Sequence, residues 1–128
     1  MNQRIFVVDD DPYWTAIISH FLTELGCENI FCLSSGKECL ESLDLRPVMV
    51  FLDYQMDDMN GIEVLKRIKA HYPGTRVVFC TAYEDLSIAV NALEQGSCDY
   101  LLKNNANLKE ISSIISPVAE GQPLTINK

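Results

Sequence analysis

Long apolar runs are absent from this chain of 128 residues. No run approaches the roughly 20 residues that a membrane span requires, and the opening residues MNQR lack the apolar segment of a signal peptide. We therefore expect a cytoplasmic protein that makes no membrane contact. At this length, we expect a single domain with one hydrophobic core.

Basic residues are also scarce. The chain has 10 Lys and Arg against 18 Asp and Glu, which gives a net charge of −8. Nucleic-acid binding requires clustered Lys and Arg opposite the phosphates, so this balance argues against nucleic-acid binding through this domain. The hydrophobic fraction of 48% is typical of a globular protein, and we therefore expect a folded domain.

Cysteine pairs with the spacing of a metal site are missing. The chain has five cysteines, an odd number, and none of them forms a CxxC motif. Cys32 and Cys80 lie within apolar runs. We therefore predict buried thiols rather than disulfides or a metal site.

Five short apolar runs alternate with helical patterns along the chain. The runs lack the polar and apolar alternation of half-exposed strands, and this predicts strands that are buried on both faces. They cover residues 5–8, 30–33, 48–52, 77–80 and 100–102.

The clearest helical pattern follows the first run and ends at Gly26. Six apolar residues recur there at the spacing of one helix face: Trp14, Ile17, Ile18, Phe21, Leu22 and Leu25. Weaker patterns cover residues 35–44, 61–71 and 84–95, and Gly96 ends the last of them.

Strands that alternate with helices predict an α/β fold, here a doubly wound five-stranded parallel sheet with helices on both faces. In open sheets of this class, ligands bind at the carboxyl ends of the strands. The candidate site residues therefore follow the apolar runs: Asp9 and Asp10 after the first, Asp53 after the third, Thr81 after the fourth and Lys103 after the fifth.

The first strand end is the stretch IFVVDDDPYW, in which three aspartates follow an apolar run. Asp11 fits a helix cap, because Pro12 can occupy the first position of the following helix. A cap does not account for Asp9 and Asp10, and we infer that these two converge with Asp53 on one site.

Carboxylates that lie close together repel, and a hard divalent cation such as Mg²⁺ relieves this repulsion. A carboxylate beside Mg²⁺ can attack a phosphoryl group and form an acyl phosphate. Lys103 would neutralise charge as the phosphate arrives, and the Thr81 hydroxyl would donate a hydrogen bond to it. Taken alone, Thr81 fits a strand end and Lys103 fits a solvated surface lysine; only their joint placement indicates a site.

At these residues the chain resembles the receiver domain of response regulators in two-component signalling. The resemblance extends over residues 5–119 and implies the strand order 2-1-3-4-5. Residues 1–119 would form the receiver domain, and residues 120–128 would be a loosely ordered tail or the start of a linker. A fifth helix fits the apolar residues before position 119, and Pro117 should kink or stop it.

The resemblance assigns the phosphoacceptor and the metal ligands. Asp53 matches the phosphoacceptor of the family. Asp10 and Asp53 would bind Mg²⁺ directly, together with the main-chain carbonyl of Gln55, and Asp9 would help through water.

Further positions match the catalytic and switch residues of the family. Thr81 and Lys103 would act in phosphoryl transfer, and Thr81 and Tyr100 would change position as the switch. Gln55 and Tyr83 match the two positions that fringe the phosphoryl group. We expect Gln55 to orient the hydrolytic water and Tyr83 to cover its approach, which would slow the loss of the phosphoryl group.

The implied partners are a histidine kinase or a phosphotransfer protein, which supplies the phosphoryl group, and an output domain or protein of unknown kind. Such a domain is a signalling module. It catalyses only its own phosphorylation and dephosphorylation.

The chain departs from the family pattern at two prolines. Asp57, followed by Asp58, stands where the family usually has proline after the phosphoacceptor, so the loop loses rigidity and gains negative charge. Asn104 stands where proline usually follows the lysine. Because a cis bond before a non-proline residue costs about 3 kcal/mol, we predict a trans bond between Lys103 and Asn104.

Three other interpretations fit parts of the pattern. An aspartyl-nucleophile phosphatase would need a second Asp at the position of Gln55, and a substrate-capping insertion. A flavodoxin-like nucleotide binder would need a Gly-rich or Ser/Thr-rich loop after the first strand, where three aspartates would repel phosphate. A receiver-like module could also act as an interaction partner without being phosphorylated.

Overall fold

The computed structural model describes residues 3–82 and 84–119, with side chains described up to residue 116. Five parallel strands form one sheet in the order β2-β1-β3-β4-β5, which confirms the predicted topology. The strands are β1 Arg4–Val8, β2 Asn29–Leu33, β3 Met49–Asp53, β4 Arg76–Thr81 and β5 Asp99–Leu102. The helices are α1 Pro12–Glu24, α2 Gly36–Glu41, α3 Gly61–His71, α4 Leu86–Glu94 and α5 Leu108–Ala119. Two 3₁₀ turns cover Leu43–Leu45 and Lys103–Asn105.

The sheet divides the hydrophobic core into two clusters, where the sequence predicted one core. On one face, α1 and α5 cover the sheet, with Ile18 and Ile111 fully buried against it. On the other face, α2, α3 and α4 pack against the sheet through residues such as Leu65 and Ile68. The division follows from the alternation of side chains along each strand, which sends neighbouring residues to opposite faces.

The prediction that every strand is buried on both faces is correct only for the three central strands. The side chains of β1, β3 and β4 are buried almost throughout. The edge strands β2 and β5 are half exposed, because each has a neighbour on one side only. Cys32 lies on β2 and is exposed, which corrects the prediction that it is buried.

The remaining cysteines agree in part with the prediction of buried thiols. Cys27, Cys39 and Cys80 are buried, whereas Cys98, which precedes β5, is exposed. No disulfide forms among the described residues, which include all five cysteines.

Helix α1 begins and ends where the sequence predicted. The Asp11 carboxylate accepts a hydrogen bond from the Tyr13 N–H at 3.0 Å, and Pro12 is the first helical residue. Gly26 follows the helix with φ of +94°, a backbone conformation that side chains disfavour. Because the cap fixes the start of α1, it also fixes the direction in which the chain leaves Asp9 and Asp10.

We predicted that Pro117 kinks or stops the last helix; α5 continues beyond it to Ala119, so the proline does not stop the helix. A proline in the last turn removes one N–H donor, and the helix tolerates this loss near its end. Residues 120–128, for which we predicted a tail or linker, lie outside the described residues.

Two further expectations concern the peptide backbone and the membrane. No cis peptide bond occurs in the described ranges, which confirms the trans bond between Lys103 and Asn104. Within the same ranges, every helix is too short or too polar to cross a bilayer.

A substitution at Gly61 tests the close approach of α3 to β3. A Cβ atom at this position would lie 2.3 Å from the main-chain oxygen of Asp53, so the backbone would have to shift. We expect Gly61→Ala to lower the free energy of unfolding by about 1–3 kcal/mol in urea titrations. Gly74→Ala is the control, because no heavy atom lies within 4 Å of its added Cβ. Equal unfolding midpoints for the two variants would contradict this packing.

Candidate functional site

Three carboxylates meet at the carboxyl edge of the sheet. Val8 on β1 pairs with Leu52 on β3, and this register places Asp9 level with Asp53. One carboxylate oxygen each from Asp9, Asp10 and Asp53 lies within 4.8 Å of the others. Asp9 and Asp53 are 2% and 5% exposed, whereas Asp10 is exposed. The structure therefore brings together the three acids that the sequence singled out.

The Lys103 ammonium lies between two of these carboxylates. Its Nζ is 2.5 Å from Oδ2 of Asp9 and 3.0 Å from Oδ1 of Asp53. The lysine side chain is only 16% exposed, so this is a mostly buried ion pair rather than a surface contact. Lys103 follows β5, and it reaches the acids because β5 ends at the same edge of the sheet.

Asp9 is held by the backbone as well as by the lysine. Its second oxygen accepts a hydrogen bond from the Asp11 N–H at 2.9 Å. Its own N–H donates to the carbonyl of Leu33 at 3.0 Å, which continues the pairing of β1 with β2. The side chain of Asp9 is thus fixed, while that of Asp10 is exposed.

Burial sets the direction of the pKa shifts of the two buried acids, but not that of the lysine. The pKa of Asp53 is raised to about 6, mainly by burial; the hydrogen bond and the charge of Lys103 oppose this rise, and the charges of Asp9 and Asp10 add to it. Burial also raises the pKa of Asp9. Burial lowers the pKa of Lys103, but its bonds and charge attraction to Asp9 and Asp53 outweigh burial and raise it overall. The ammonium therefore stays charged at neutral pH.

The donor set fits a hard divalent cation. The three carboxylates and one ammonium leave a formal excess of two negative charges, and carboxylate oxygens are the ligands that Mg²⁺ prefers. Asp53, Asp10 and Asp9 could therefore hold such an ion. Gln55, whose main-chain carbonyl we predicted as a further ligand, lies in the loop that follows β3 and is exposed.

The predicted switch residues lie on one face of the sheet. Thr81 is the last residue of β4 and is 1% exposed. Two positions before it, Phe79 pairs with Tyr100 on β5, and their rings stack with centroids 6.4 Å apart. Because residues two apart on a strand share a face, Thr81 and Tyr100 are diagonal neighbours. Tyr83, predicted to cover the site, lies outside the described residues.

Sequence reasoning missed the role of two residues near this site. Trp14 was assigned only to the apolar face of α1, yet Nζ of Lys103 lies 5.4 Å from the centre of its ring, a cation–π distance. Asp58 was expected only to add negative charge, yet its carboxylate binds the first residues of α2. The only available signal for Trp14 was its place one turn after the acidic residues.

The comparisons with known proteins agree with this geometry. The profile of the response regulator receiver domain matches residues 5–116. The transcriptional regulatory protein CrdR of Helicobacter pylori is 36% identical over 98% of this chain and 59% of its own length. The chemotaxis protein CheY of Thermotoga maritima is 28% identical over 80% of this chain and 87% of its own length.

A solved structure gives the same result for the fold. The BeF3-activated receiver domain of DrrB, a Thermotoga maritima protein, has a TM-score of 0.84 at 28% identity, over 94% of this chain and 99% of that one. The chain spans less than two thirds of CrdR and about a quarter or less of several larger regulatory proteins. Because the family profile covers most of the residues and the CheY-like fold agrees with it, this chain belongs to the response regulator receiver domains, which are signalling modules rather than classical enzymes.

Proposed function

We propose that this domain accepts a phosphoryl group on Asp53, in a reaction that requires Mg²⁺, and signals through the change of conformation that follows. The ion pair of Lys103 with both Asp9 and Asp53 carries this proposal. It places a buried carboxylate beside a cation at the sheet edge where ligands of this fold class bind.

Asp53 is the nucleophile of the proposed reaction. A histidine kinase or a phosphotransfer protein would present a phosphohistidine, and a carboxylate oxygen of Asp53 would attack its phosphorus. The new bond joins this oxygen to phosphorus, the bond from phosphorus to nitrogen breaks, and the imidazole leaves. A pKa of about 6 leaves Asp53 mostly ionised at neutral pH and makes it more basic than an ordinary aspartate.

The acids beside Asp53 would hold the metal. Asp10 and Asp53 would bind Mg²⁺ directly with the carbonyl of Gln55, and Asp9 would help through water. When bound, Mg²⁺ supplies positive charge that offsets the carboxylates and the phosphoryl oxygens. Lys103 adds a second cation that can move from Asp53 towards the phosphoryl group, because its Nζ already contacts the nucleophile.

Thr81 and Tyr100 would transmit the change. A hydroxyl at the end of β4 can donate a hydrogen bond to a phosphoryl oxygen on Asp53, and this draws Thr81 towards the site. The diagonal position of Tyr100 lets its ring follow into the space that Thr81 leaves. The phosphorylated state is then favoured because it has contacts that the unphosphorylated state lacks.

Output and lifetime complete the proposal. Several relatives are regulatory proteins longer than this chain, and we infer an output domain or protein that reads the switched surface. Gln55 would orient the water that removes the phosphoryl group. The shielding role of Tyr83 depends on the sequence alone.

Asp53→Asn tests the assignment of the nucleophile. The amide keeps the shape of the side chain but lacks the anionic oxygen, so phosphorylation by acetyl phosphate with Mg²⁺ should be lost. Intact mass would show one acid-labile phosphoryl group on the parent protein and none on the variant. Asp57→Asn, which changes an exposed acid four residues away, should keep full uptake. Undiminished uptake by Asp53→Asn would place the acceptor elsewhere, and no uptake by the parent would favour an unphosphorylated interaction module.

The raised pKa of Asp53 predicts how stability depends on pH in the absence of metal. Asp53 binds a proton more tightly in the folded protein than in the unfolded chain, so stability falls as pH rises from about 4 to 7. Asp9 acts in the same direction. The lowered pKa of Asp58 acts only below its ordinary value of 3.8, and the raised pKa of Lys103 only in alkali.

We therefore expect the protein in a chelator to gain about 1 kcal/mol of unfolding free energy between pH 7.5 and pH 5 through Asp53. Urea titrations at the two pH values measure this gain. Asp53→Asn should lose that part of the gain, and a variant with the same pH dependence as the parent would show that Asp53 titrates normally.

Magnesium should stabilise the folded protein, because the carboxylates come together only in that state. At ten times the dissociation constant the gain is about 1.4 kcal/mol. Asp10→Ala should raise the melting temperature in a chelator, because it relieves repulsion, and should abolish the response to Mg²⁺. A parent protein whose melting temperature ignores millimolar Mg²⁺ would not have this metal site.

A further inference from the structure

The loop between β3 and α3 connects the nucleophile to the rest of the molecule. It covers residues 54–60 and contains Gln55, the predicted source of a metal-binding carbonyl. At its base, the N–H of Gly61 donates to the carbonyl of Tyr54 at 2.7 Å, which closes the loop. This bond fixes the two ends of the loop but not its tip.

Asp58 fastens the tip of this loop to α2. Its Oδ1 accepts a hydrogen bond from the N–H of Gly36 at 3.1 Å, and its Oδ2 accepts one from the N–H of Lys37 at 2.8 Å. These are the first two residues of α2, 22 and 21 positions earlier in the chain. Both carboxylate oxygens are used, so the geometry fixes the orientation of the side chain as well as its distance.

The cap of α2 is thereby shared between two residues. The hydroxyl of Ser35, at the usual capping position, accepts a hydrogen bond from the N–H of Glu38, at 3.0 Å. The N–H groups of Gly36 and Lys37 donate to the carboxylate of Asp58 instead. The start of α2 and the loop of the nucleophile are therefore a single hydrogen-bonded unit.

Close packing reinforces the same contact. A Cβ atom at Gly36 would lie 2.7 Å from Cγ of Met59, the residue that follows Asp58. It would also lie 2.9 Å from a methyl carbon of Val64 on α3. The start of α2 thus lies in close contact with the loop and with α3, with little room for a side chain.

We propose that Asp58 is a positioning residue for the phosphoacceptor site, which fastens the loop to α2 and thereby holds the Gln55 carbonyl where Mg²⁺ binds. This inference rests on the proposed function. The loop has no proline at position 57, so no ring restrains its backbone there, and the bond to α2 provides the restraint instead. The backbone hydrogen bond from Lys37, with smaller help from that of Gly36, lowers the pKa of Asp58, which agrees with a carboxylate that accepts both bonds in its ionised form.

Asp57 provides a control that distinguishes this proposal from a general effect of negative charge on Mg²⁺ binding. It is exposed and carries the same formal charge one position earlier. If negative charge near the site were what attracts Mg²⁺, removing either carboxylate would weaken binding equally. If the bond to α2 matters, only the loss of Asp58 has a large effect.

The experiment compares Asp58→Ala, Asp58→Asn and Asp57→Ala with the parent protein. Fluorescence of Trp14, the only tryptophan in the chain, reports Mg²⁺ binding because Lys103 lies 5.4 Å from its ring. We expect Asp58→Ala to weaken Mg²⁺ binding roughly ten-fold, as for other residues that orient metal ligands. Asp57→Ala should change it by less than about two-fold, because exposed charges are screened. Asp58→Asn keeps one acceptor oxygen and should fall between the two.

A second measurement does not depend on the metal. In a chelator, the amides of Gly36, Lys37 and the loop should exchange hydrogen faster in Asp58→Ala than in the parent or in Asp57→Ala, while those of the central strands stay unchanged. At saturating Mg²⁺, the rate of phosphorylation by acetyl phosphate should return close to that of the parent, because Asp58 acts on the affinity for the metal and not on the transfer.

The outcomes distinguish this inference from the proposed function. If the parent protein is phosphorylated normally but Asp57→Ala and Asp58→Ala bind Mg²⁺ with equal affinity, only the proposed role of Asp58 is overturned. Unchanged hydrogen exchange in Asp58→Ala would do the same. A parent that neither binds Mg²⁺ nor takes up a phosphoryl group would overturn both.

Discussion

The arrangement of this site depends on one ion pair, in which the Lys103 ammonium faces two buried carboxylates at the ends of different strands. Burying a carboxylate is costly, and a buried pair that loses one partner is strongly destabilised. Here one lysine serves Asp9 and Asp53 together, and Asp10 adds a third acid without adding a cation. The parallel sheet makes this possible, because its register forces the ends of β1, β3 and β5 to one edge. The excess of negative charge at this site therefore follows from the way in which the sheet brings these residues together.

Much of the fold could be predicted from the sequence because its signals are local. The apolar face of α1, the cap at Asp11 and the glycine that follows the helix all act within one or two turns, and the structure has them where predicted. Exposure of a strand is different, because it depends on the place of the strand in the sheet. The runs at β2 and β4 are similarly apolar, yet β2 is an edge strand and Cys32 is exposed. The apolar pattern of a strand alone does not show whether the strand lies at the centre or at the edge of the sheet.

The same distinction applies to the site. Residues that follow the apolar runs could be found by position, and the structure brings Asp9, Asp10, Asp53 and Lys103 together as expected. Contacts between distant segments could not be found in this way. The hydrogen bonds from α2 to Asp58 join residues more than 20 positions apart, and no sequence motif around Gly36 or Asp58 predicts them. The proximity of Trp14 to Lys103 is of the same kind.

The two apolar clusters on opposite faces of the sheet have a consequence for how this chain can change over evolution. A substitution under α1 and α5 alters different neighbours from one under α2, α3 and α4, so the energies of two such changes should nearly add. Each face can then be repacked separately, while the residues at the strand ends stay in register. Separate repacking of the two faces would permit wide divergence at constant architecture; the DrrB receiver domain has a TM-score of 0.84 to this chain at 28% identity.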